Sequence, residues 1–81
     1  MTEASLRSAI IDELIKIAPD LDAADIEDDG LLHDDYDLDS MDSFNLAAAI
    51  HQRLGINIPD SDFARLQSVG DLVRYLAQKA Q

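Results

Sequence analysis

The stretch Leu38-Asp39-Ser40-Met41-Asp42-Ser43-Phe44 decides how this chain folds, because an acidic loop ends here and a helix begins. Asp39 suits the N-cap, since its carboxylate can accept from the unpaired N–H groups of the first helical turn. Ser40 is then expected at the helix N-terminus, with its hydroxyl in water beside the positive end of the helix dipole. Such a position favours a phosphate group. The alternative is that Ser40 only forms part of the helix cap.

Composition limits the partners that the chain can have. Its 81 residues suffice for one domain, which we expect to cover residues 1–81. Because 17 acidic residues outweigh 6 basic ones, giving a net charge of −11, nucleic acid and anionic membranes should repel the chain. Basic protein surfaces are the expected partners. No cysteine, signal peptide or membrane-spanning run occurs, so we expect a cytoplasmic protein without a thiol of its own. We also expect it to be a monomer.

Helical periodicity predicts an all-α fold, a small bundle of three main helices plus one short helix. The first helix begins after Thr2, which can cap it, and ends at Pro19. The second runs from Ser40 to about Leu54, with Gly55 as its C-cap. The inward-facing positions of the long helices are Leu6, Ile10, Leu14, Ile17, Leu46, Ala47, Ile50, Leu54, Val69, Leu72, Val73 and Leu76.

The last third of the chain contains the short helix and the third main helix. Ile56-Asn57-Ile58 is interpreted as an extended connector, since no other segment pairs with it as a strand. Pro59 at the first helical position is expected to start a short helix through about Leu66 that buries Phe63. Ser68-Val69-Gly70-Asp71 has the form of a capping box and should begin the last helix.

The segment from Asp20 to Asp39 is predicted to be a long ordered loop with one short helical turn. Ten of its twenty positions are Asp or Glu, and none is Lys or Arg. Loops of this length are usually functional. Two interpretations of this segment are open: it contacts a partner directly, or it is only a solvated acidic face. Its anchoring apolar residues are Leu21, Ile26, Leu31, Leu32, Tyr36 and Leu38.

Part of this loop partly matches the calcium loop of an EF-hand. Asp25, Glu27, Asp29 and Gly30 fit, but the twelfth position, where a bidentate glutamate is needed, is Tyr36. We therefore predict no dedicated metal site, and at most weak binding of divalent ions by the many carboxylates.

Catalysis by this chain alone is disfavoured. Ser40 lacks a nearby base, because His51 follows eleven residues later, about 16 Å along a helix at 1.5 Å per residue. His33 lies in the acidic loop, and a chain of this size offers little room for an oxyanion hole and a substrate cleft. We predict no catalytic residues.

The decisive motif resembles that of a known family. Asp39-Ser40-Met41, after an acidic loop and before an amphipathic helix, resembles the Asp-Ser-Leu/Met motif of acyl carrier proteins. Ile56-Asn57-Ile58-Pro59 is similar to the family's segment before its third helix. The residues Ser68-Val69, with the apolar pattern that follows them, resemble its final helix, so the match extends from Leu6 to Leu76.

The resemblance implies that Ser40 carries 4′-phosphopantetheine, transferred from coenzyme A by a phosphopantetheinyl transferase. It implies a carrier rather than an enzyme. The carrier would hold acyl intermediates as thioesters and deliver them to loading and processing enzymes of fatty-acid, lipid or polyketide-type synthesis. Family members also tuck acyl chains between the helices, where Ala47-Ala48-Ala49 would either leave space for them or only allow close helix packing.

Several positions depart from the family pattern. Asp37 replaces a usual glycine and should adopt the left-handed conformation, which Asp tolerates better than most residues. The second helix has Asn45, His51 and Gln52 where fatty-acid-synthesis carriers usually have glutamates, and Arg53 adds a positive charge. Since the negative charge lies in the preceding loop instead, we hypothesise a specialised carrier.

The expected partners bear basic docking patches, which meet acidic and apolar residues around Ser40. Core packing is the first interpretation of Phe44, although its place near the helix start also makes it a candidate contact. The candidate partner-binding residues are Asp35, Asp37, Asp39, Met41, Asp42 and Phe44.

Two alternatives remain at this point. The Asp-Ser-Met triplet and the Ile-Pro segment with Phe63 also resemble D-alanyl carrier proteins, whose cargo is an amino acid. The other alternative is an unmodified acidic adaptor, responsive to calcium, in which Ser40 is only a helix cap.

Overall fold

The computed structural model describes residues 2–80 and confirms the all-α bundle. Its helices are α1 (Glu3–Ile17), α2 (Ser40–Leu54), α3 (Asp60–Phe63) and α4 (Val69–Lys79), with a 3-10 turn at Ala23–Asp25 in the acidic loop. Within residues 2–80 no named strand forms, and the one isolated bridge joins Leu31 to Ser68. Among these described residues no helix is long and apolar enough to cross a membrane.

Local signals set the ends of α1 and α2 as the sequence predicts. The Thr2 hydroxyl oxygen accepts from the Ser5 amide at 3.1 Å, which satisfies one of the unpaired donors of α1. Ala18, the residue before Pro19, leaves the helical conformation and ends the helix. Gly55 closes α2 in the left-handed conformation with φ 71°.

The short helix α3 differs from its prediction. It spans four residues, and Pro59 is the N-cap in an extended conformation rather than the first helical residue. Beyond Phe63 the backbone continues with i→i+3 bonds, as from Leu66 N to Phe63 O at 2.9 Å, so the chain tightens into turns. Phe63 is half-buried instead of buried, because one side of it lies along an open cleft.

The start of α4 forms only half of the predicted capping box. Ser68 Oγ accepts from the Asp71 amide at 3.1 Å, but the Asp71 carboxylate accepts from the Gln67 amide rather than from that of Ser68. Partial burial raises the pKa of Asp71, but hydrogen bonds from the Gln67 amide and Arg74 outweigh it, so the pKa is lowered from 3.8.

The core lies where α1 packs against both α2 and α4. Three loop residues, Ile26, Leu32 and Leu38, join it and thereby fasten the acidic loop to the bundle. Leu31, Leu21 and Tyr36 are half-buried, as are Ile17, Ala47 and Leu54 of the predicted inward stripes. The largest fully buried side chains are Leu6, Ile10, Leu14, Leu38, Leu46, Ile50, Leu72, Leu76 and Val69.

Candidate functional site

The start of α2 is fixed by a reciprocal capping box. Asp39 Oδ1 accepts from the Asp42 amide at 2.8 Å, and Asp42 Oδ2 accepts from the Asp39 amide at 3.4 Å. Two unpaired donors of the first turn are satisfied in this way. Ser40 is the first residue of α2, its side chain is exposed, and its hydroxyl forms no hydrogen bond within the described chain. The predicted position of Ser40 is therefore confirmed.

The turn that leads into this helix depends on Asp37 and Leu38. Asp37 has φ 56°, and among the non-glycine residues described it alone has a positive φ. The prediction of a left-handed Asp37 is confirmed. Leu38 is 1% exposed, and its amide donates to Leu32 O at 3.1 Å. The buried Leu38 side chain and the hydrogen bond of the Leu38 amide fix the position of the backbone that leads to Ser40.

Two polar side chains of the loop support the same turn. His33 Nδ1 lies 2.7 Å from the carbonyl oxygen of Leu38, and Asp35 Oδ2 accepts from the Leu31 amide at 2.7 Å. Asp35 thus has a local structural role that the sequence analysis did not anticipate. The same holds for His33, which was considered there only as a base.

Tyr36 occupies the place where an EF-hand would need a glutamate. Its hydroxyl oxygen accepts from the Glu27 amide at 2.9 Å, so it closes the loop by a hydrogen bond. A Cβ on Gly30 would lie 1.9 Å from this oxygen, so a larger residue there would displace the Tyr36 side chain. Within residues 2–80 no group of three or more His, Cys, Asp or Glu side chains is arranged to hold a metal ion.

The loop is also tied to the start of α4. The Leu32 amide donates to Gln67 O at 2.9 Å, and the Gly70 amide donates to Asp28 O at 2.7 Å. On the other side, Arg7 of α1 pairs with the Asp28 carboxylate. Since backbone bonds hold the loop at several points, its carboxylates are presented on an ordered surface.

An open, mainly apolar cleft of about 670 Å³ lies beside Ser40, between the loop, α2 and the α3 region. Ala47 borders it, so one residue of the Ala47-Ala48-Ala49 run does leave space there, whereas Ala48 is exposed. The α3 side of the cleft was missed in the sequence analysis, because it depends on Phe63 being only half-buried. The apolar lining residues are Leu31, Leu32, Leu38, Phe44, Ala47, Phe63, Ala64 and Leu66.

The exposed face of α2 next to Ser40 carries two large apolar side chains. Met41 is 67% exposed and Phe44 is 61% exposed. The prediction that Phe44 packs in the core is wrong, because the inward stripe of α2 passes through Leu46 and Ile50 instead. One side of Phe44 borders the cleft, and the rest faces solvent. Asp35, Asp37 and Asp39 are exposed nearby, and Asp42 is half-buried.

Arg53, near the C-terminal end of α2, forms ion pairs within the helical bundle. Arg53 pairs with Asp12 at 3.1 Å and with the largely buried Glu13 at 3.5 Å, both on α1. Glu13 also pairs with Lys16 at 3.4 Å. Arg53 therefore joins α2 to α1.

The arrangement around Ser40 fits a covalently attached phosphate ester. The hydroxyl is exposed, and the first turn of a 15-residue helix offers N–H donors and positive potential to an anion. Among the described residues no base is hydrogen-bonded to this hydroxyl, so the described chain does not itself activate it as a nucleophile.

Comparison with known proteins identifies the class. The family model described as "Phosphopantetheine attachment site" matches residues 8–76. An acyl carrier protein of Acidothermus cellulolyticus is 31% identical over 65 residues, which are 80% of this chain and 77% of that protein. The chain belongs to this family of carrier domains, whose members bear covalently attached 4′-phosphopantetheine and are carriers, not enzymes.

Other relatives, which have a more specific name, are longer than this chain. Meromycolate extension acyl carrier proteins of Mycobacterium leprae and Mycobacterium tuberculosis are 33% identical over 66 residues, 82% of this chain. The matched part is 57% of each of these relatives, so the chain spans little more than half of their length.

Proposed function

We propose that Ser40 is the attachment residue and that the chain is a discrete acyl carrier protein. The observation that carries this proposal is the exposed, unbonded Ser40 hydroxyl at the first position of α2, beside an apolar cleft. The phosphopantetheine group supplies a terminal thiol for thioester carriage, which the cysteine-free chain lacks. The chain itself presents the hydroxyl, offers helix N–H donors to the phosphate and shelters apolar cargo.

Modification by a transferase tests this proposal. The protein is incubated with coenzyme A and a broad-specificity phosphopantetheinyl transferase, and its intact mass is measured. One prosthetic group should be added, and Ser40→Ala should abolish the addition. Ser43→Ala is the matched control, because Ser43 also borders the cleft in the next part of the same helix but should not be modified. A mass gain that persists in Ser40→Ala would refute the assignment.

The docking surface that we propose surrounds Ser40 and consists of Met41 and Phe44 within an acidic rim. The two apolar side chains are largely exposed, as expected of contacts that become buried against a partner. The rim residues are Asp35, Asp37, Asp39 and Asp42. Partners with a basic patch, namely the transferase and acyl-loading or acyl-processing enzymes, complement this surface in charge.

The transferase reaction also measures docking. Phe44→Ser should raise the KM for the carrier, because an apolar anchor is lost, while its stability should change little at this exposed site. Ala48→Ser, at another exposed position of α2, is the matched control. An unchanged KM in Phe44→Ser would exclude Phe44 from the transferase interface. Added salt should raise the KM of the wild-type protein by screening the acidic rim.

We infer an acyl rather than an aminoacyl cargo, because apolar residues make up most of the cleft wall. The relatives named for meromycolate extension support a role in lipid synthesis. The absence of glutamate from the second helix, with the negative charge in the preceding loop, supports specialised partners. Mass analysis of the group attached to the protein from its native cell tests this inference. An amino acid attached to the phosphopantetheine group would instead support the D-alanyl-type alternative. Free exchange with a general carrier in fatty-acid elongation would refute the specialised role.

Three further properties stay predictions: that residues 1–81 form one carrier domain, that it is a monomer, and that it is cytoplasmic. Size-exclusion chromatography with light scattering tests the second.

A further inference from the structure

Positive charge is scarce around Ser40. Residues 17–50 contain no Lys or Arg, and His33 is the one side chain in that range able to become cationic. The nearest cations along the chain on either side, Lys16 and Arg53, are paired with carboxylates of α1. Among the residues that border the cleft beside Ser40, His33 is the one able to become cationic. Arg65 follows one of these residues, Ala64, but does not itself border the cleft. The helix N-terminus and His33 are therefore the sources of counter-charge within the cleft for a phosphate group on Ser40.

The ring of His33 is held at the start of α2. Its Nδ1 lies 2.7 Å from the Leu38 carbonyl oxygen, and since a carbonyl only accepts, Nδ1 carries the proton. Leu38 is buried and precedes Ser40 by two residues, so the ring is fixed to a rigid part of the backbone. His33 is exposed, borders the same cleft as Ser40, and has no second hydrogen bond within residues 2–80.

The other titratable groups bordering this cleft are all acids. They are Asp34 of the loop, Asp39 at the N-cap of α2, and Asp60 of α3. A phosphodiester on Ser40 adds one more negative charge to this group. Because like charges repel at short range, a nearby imidazolium stabilises the modified state, and a charge-assisted hydrogen bond is stronger than a neutral one.

We propose that His33 is a positioning residue for the phosphate attached to Ser40. Nδ1–H donates to the Leu38 carbonyl, and in the protonated ring Nε2–H donates to a phosphate oxygen. The proton on Nε2 comes from solvent and is lost to solvent as the pH rises. The proposal rests on the proposed attachment at Ser40. If it is right, the interaction between the protein and the phosphate of the phosphopantetheine group depends on pH.

Phosphorus NMR of the modified protein tests this proposal. A phosphodiester keeps one charge from about pH 5 to 8, the range in which a histidine changes charge, so a sigmoidal change of its 31P shift reports a titrating neighbour. We expect this change in the wild-type protein and its loss in His33→Gln, whose amide can still donate to Leu38. His51→Gln, at an exposed position near the far end of α2, should retain it.

A second measurement needs no variant. On modification, the imidazole resonances of His33 should shift, whereas those of His51 should not. A modified protein with a pH-independent 31P shift and unchanged His33 resonances overturns the inference alone. A protein that gains no mass with the transferase overturns the proposed attachment and this inference together.

Discussion

Replacement of Asp39 by alanine should weaken the start of α2 by a predictable amount. The Asp39 carboxylate accepts from the Asp42 amide at 2.8 Å, and alanine would leave that amide without its partner. Loss of an N-cap costs about 1 kcal/mol. Loss of a negative charge at a helix N-terminus costs roughly another 0.3 to 1 kcal/mol at low salt. Relief of repulsion from Asp37 and Asp42 opposes the second effect, so we expect a net loss of about 1 kcal/mol in the free energy of unfolding.

Urea unfolding followed by circular dichroism measures this loss, with Asp39→Asn as the matched control. Asparagine caps as well as aspartate but carries no charge, so its stability should stay within about 0.5 kcal/mol of the wild type. Equal destabilisation by the two variants would show that the charge, not the hydrogen bond, stabilises the helix start. Wild-type stability in Asp39→Ala would refute the capping argument itself.

Three other predictions address the core, the loop and the pH dependence. Leu46→Ala, at a fully buried site, should cost roughly 2 to 5 kcal/mol in urea unfolding, whereas Met41→Ala, at an exposed one, should cost less than about 0.5 kcal/mol. Gly30→Ala should displace the Tyr36 ring and cost about 1 kcal/mol for the lost hydrogen bond of its hydroxyl. In a Tyr36→Phe background the ring must still move, but this hydrogen-bond part of the cost should be absent. The pKa of Asp71 is lowered in the folded state, so its contribution is present above pH 3.8 and is lost as the pH falls through the folded value. When the free energy of unfolding is measured at decreasing pH, the difference between the wild type and Asp71→Asn should therefore disappear as the pH falls below 3.8 and through the folded pKa of Asp71.

The long helices could be predicted because their signals are local. A capping side chain such as Thr2 or Asp39 acts on amides within the next three residues, and Pro19 acts on the residue before it. The position and exposure of Ser40 follow from the same local cap, since the first residue of a capped helix has its side chain near solvent. Gly55 supplies the equivalent signal at the other end of α2.

The short helix and the cleft could not be predicted in the same way. A helix of four residues has too few internal hydrogen bonds to be specified by its own sequence, so the packing of its surroundings sets its end. The cleft exists because Phe63 and Phe44 each remain partly in solvent. A sequence pattern assigns apolar residues to a face of a helix, but it does not tell whether another element covers that face.

The contacts that order the acidic loop are likewise invisible in the sequence. Tyr36 bonds to an amide nine residues away, and Leu32 bonds to Gln67 from a different part of the chain. The composition predicted a long loop with anchors at Ile26 and Leu38, and both side chains are buried. Which polar groups pair within it depends on the tertiary arrangement of these anchors.

The acidic residues around Ser40 have a structural role as well as a proposed docking role, and this determines how docking must be tested. Asp35, Asp39 and Asp42 each accept a backbone hydrogen bond, so alanine at any of them removes a local support as well as a charge. A weaker interaction of such an alanine variant with a partner would not distinguish lost charge from a disordered site. Asparagine removes the charge and keeps the acceptor, so asparagine variants isolate the electrostatic part. For Asp37 asparagine is suitable for another reason, because its backbone is left-handed and asparagine or glycine preserves the turn.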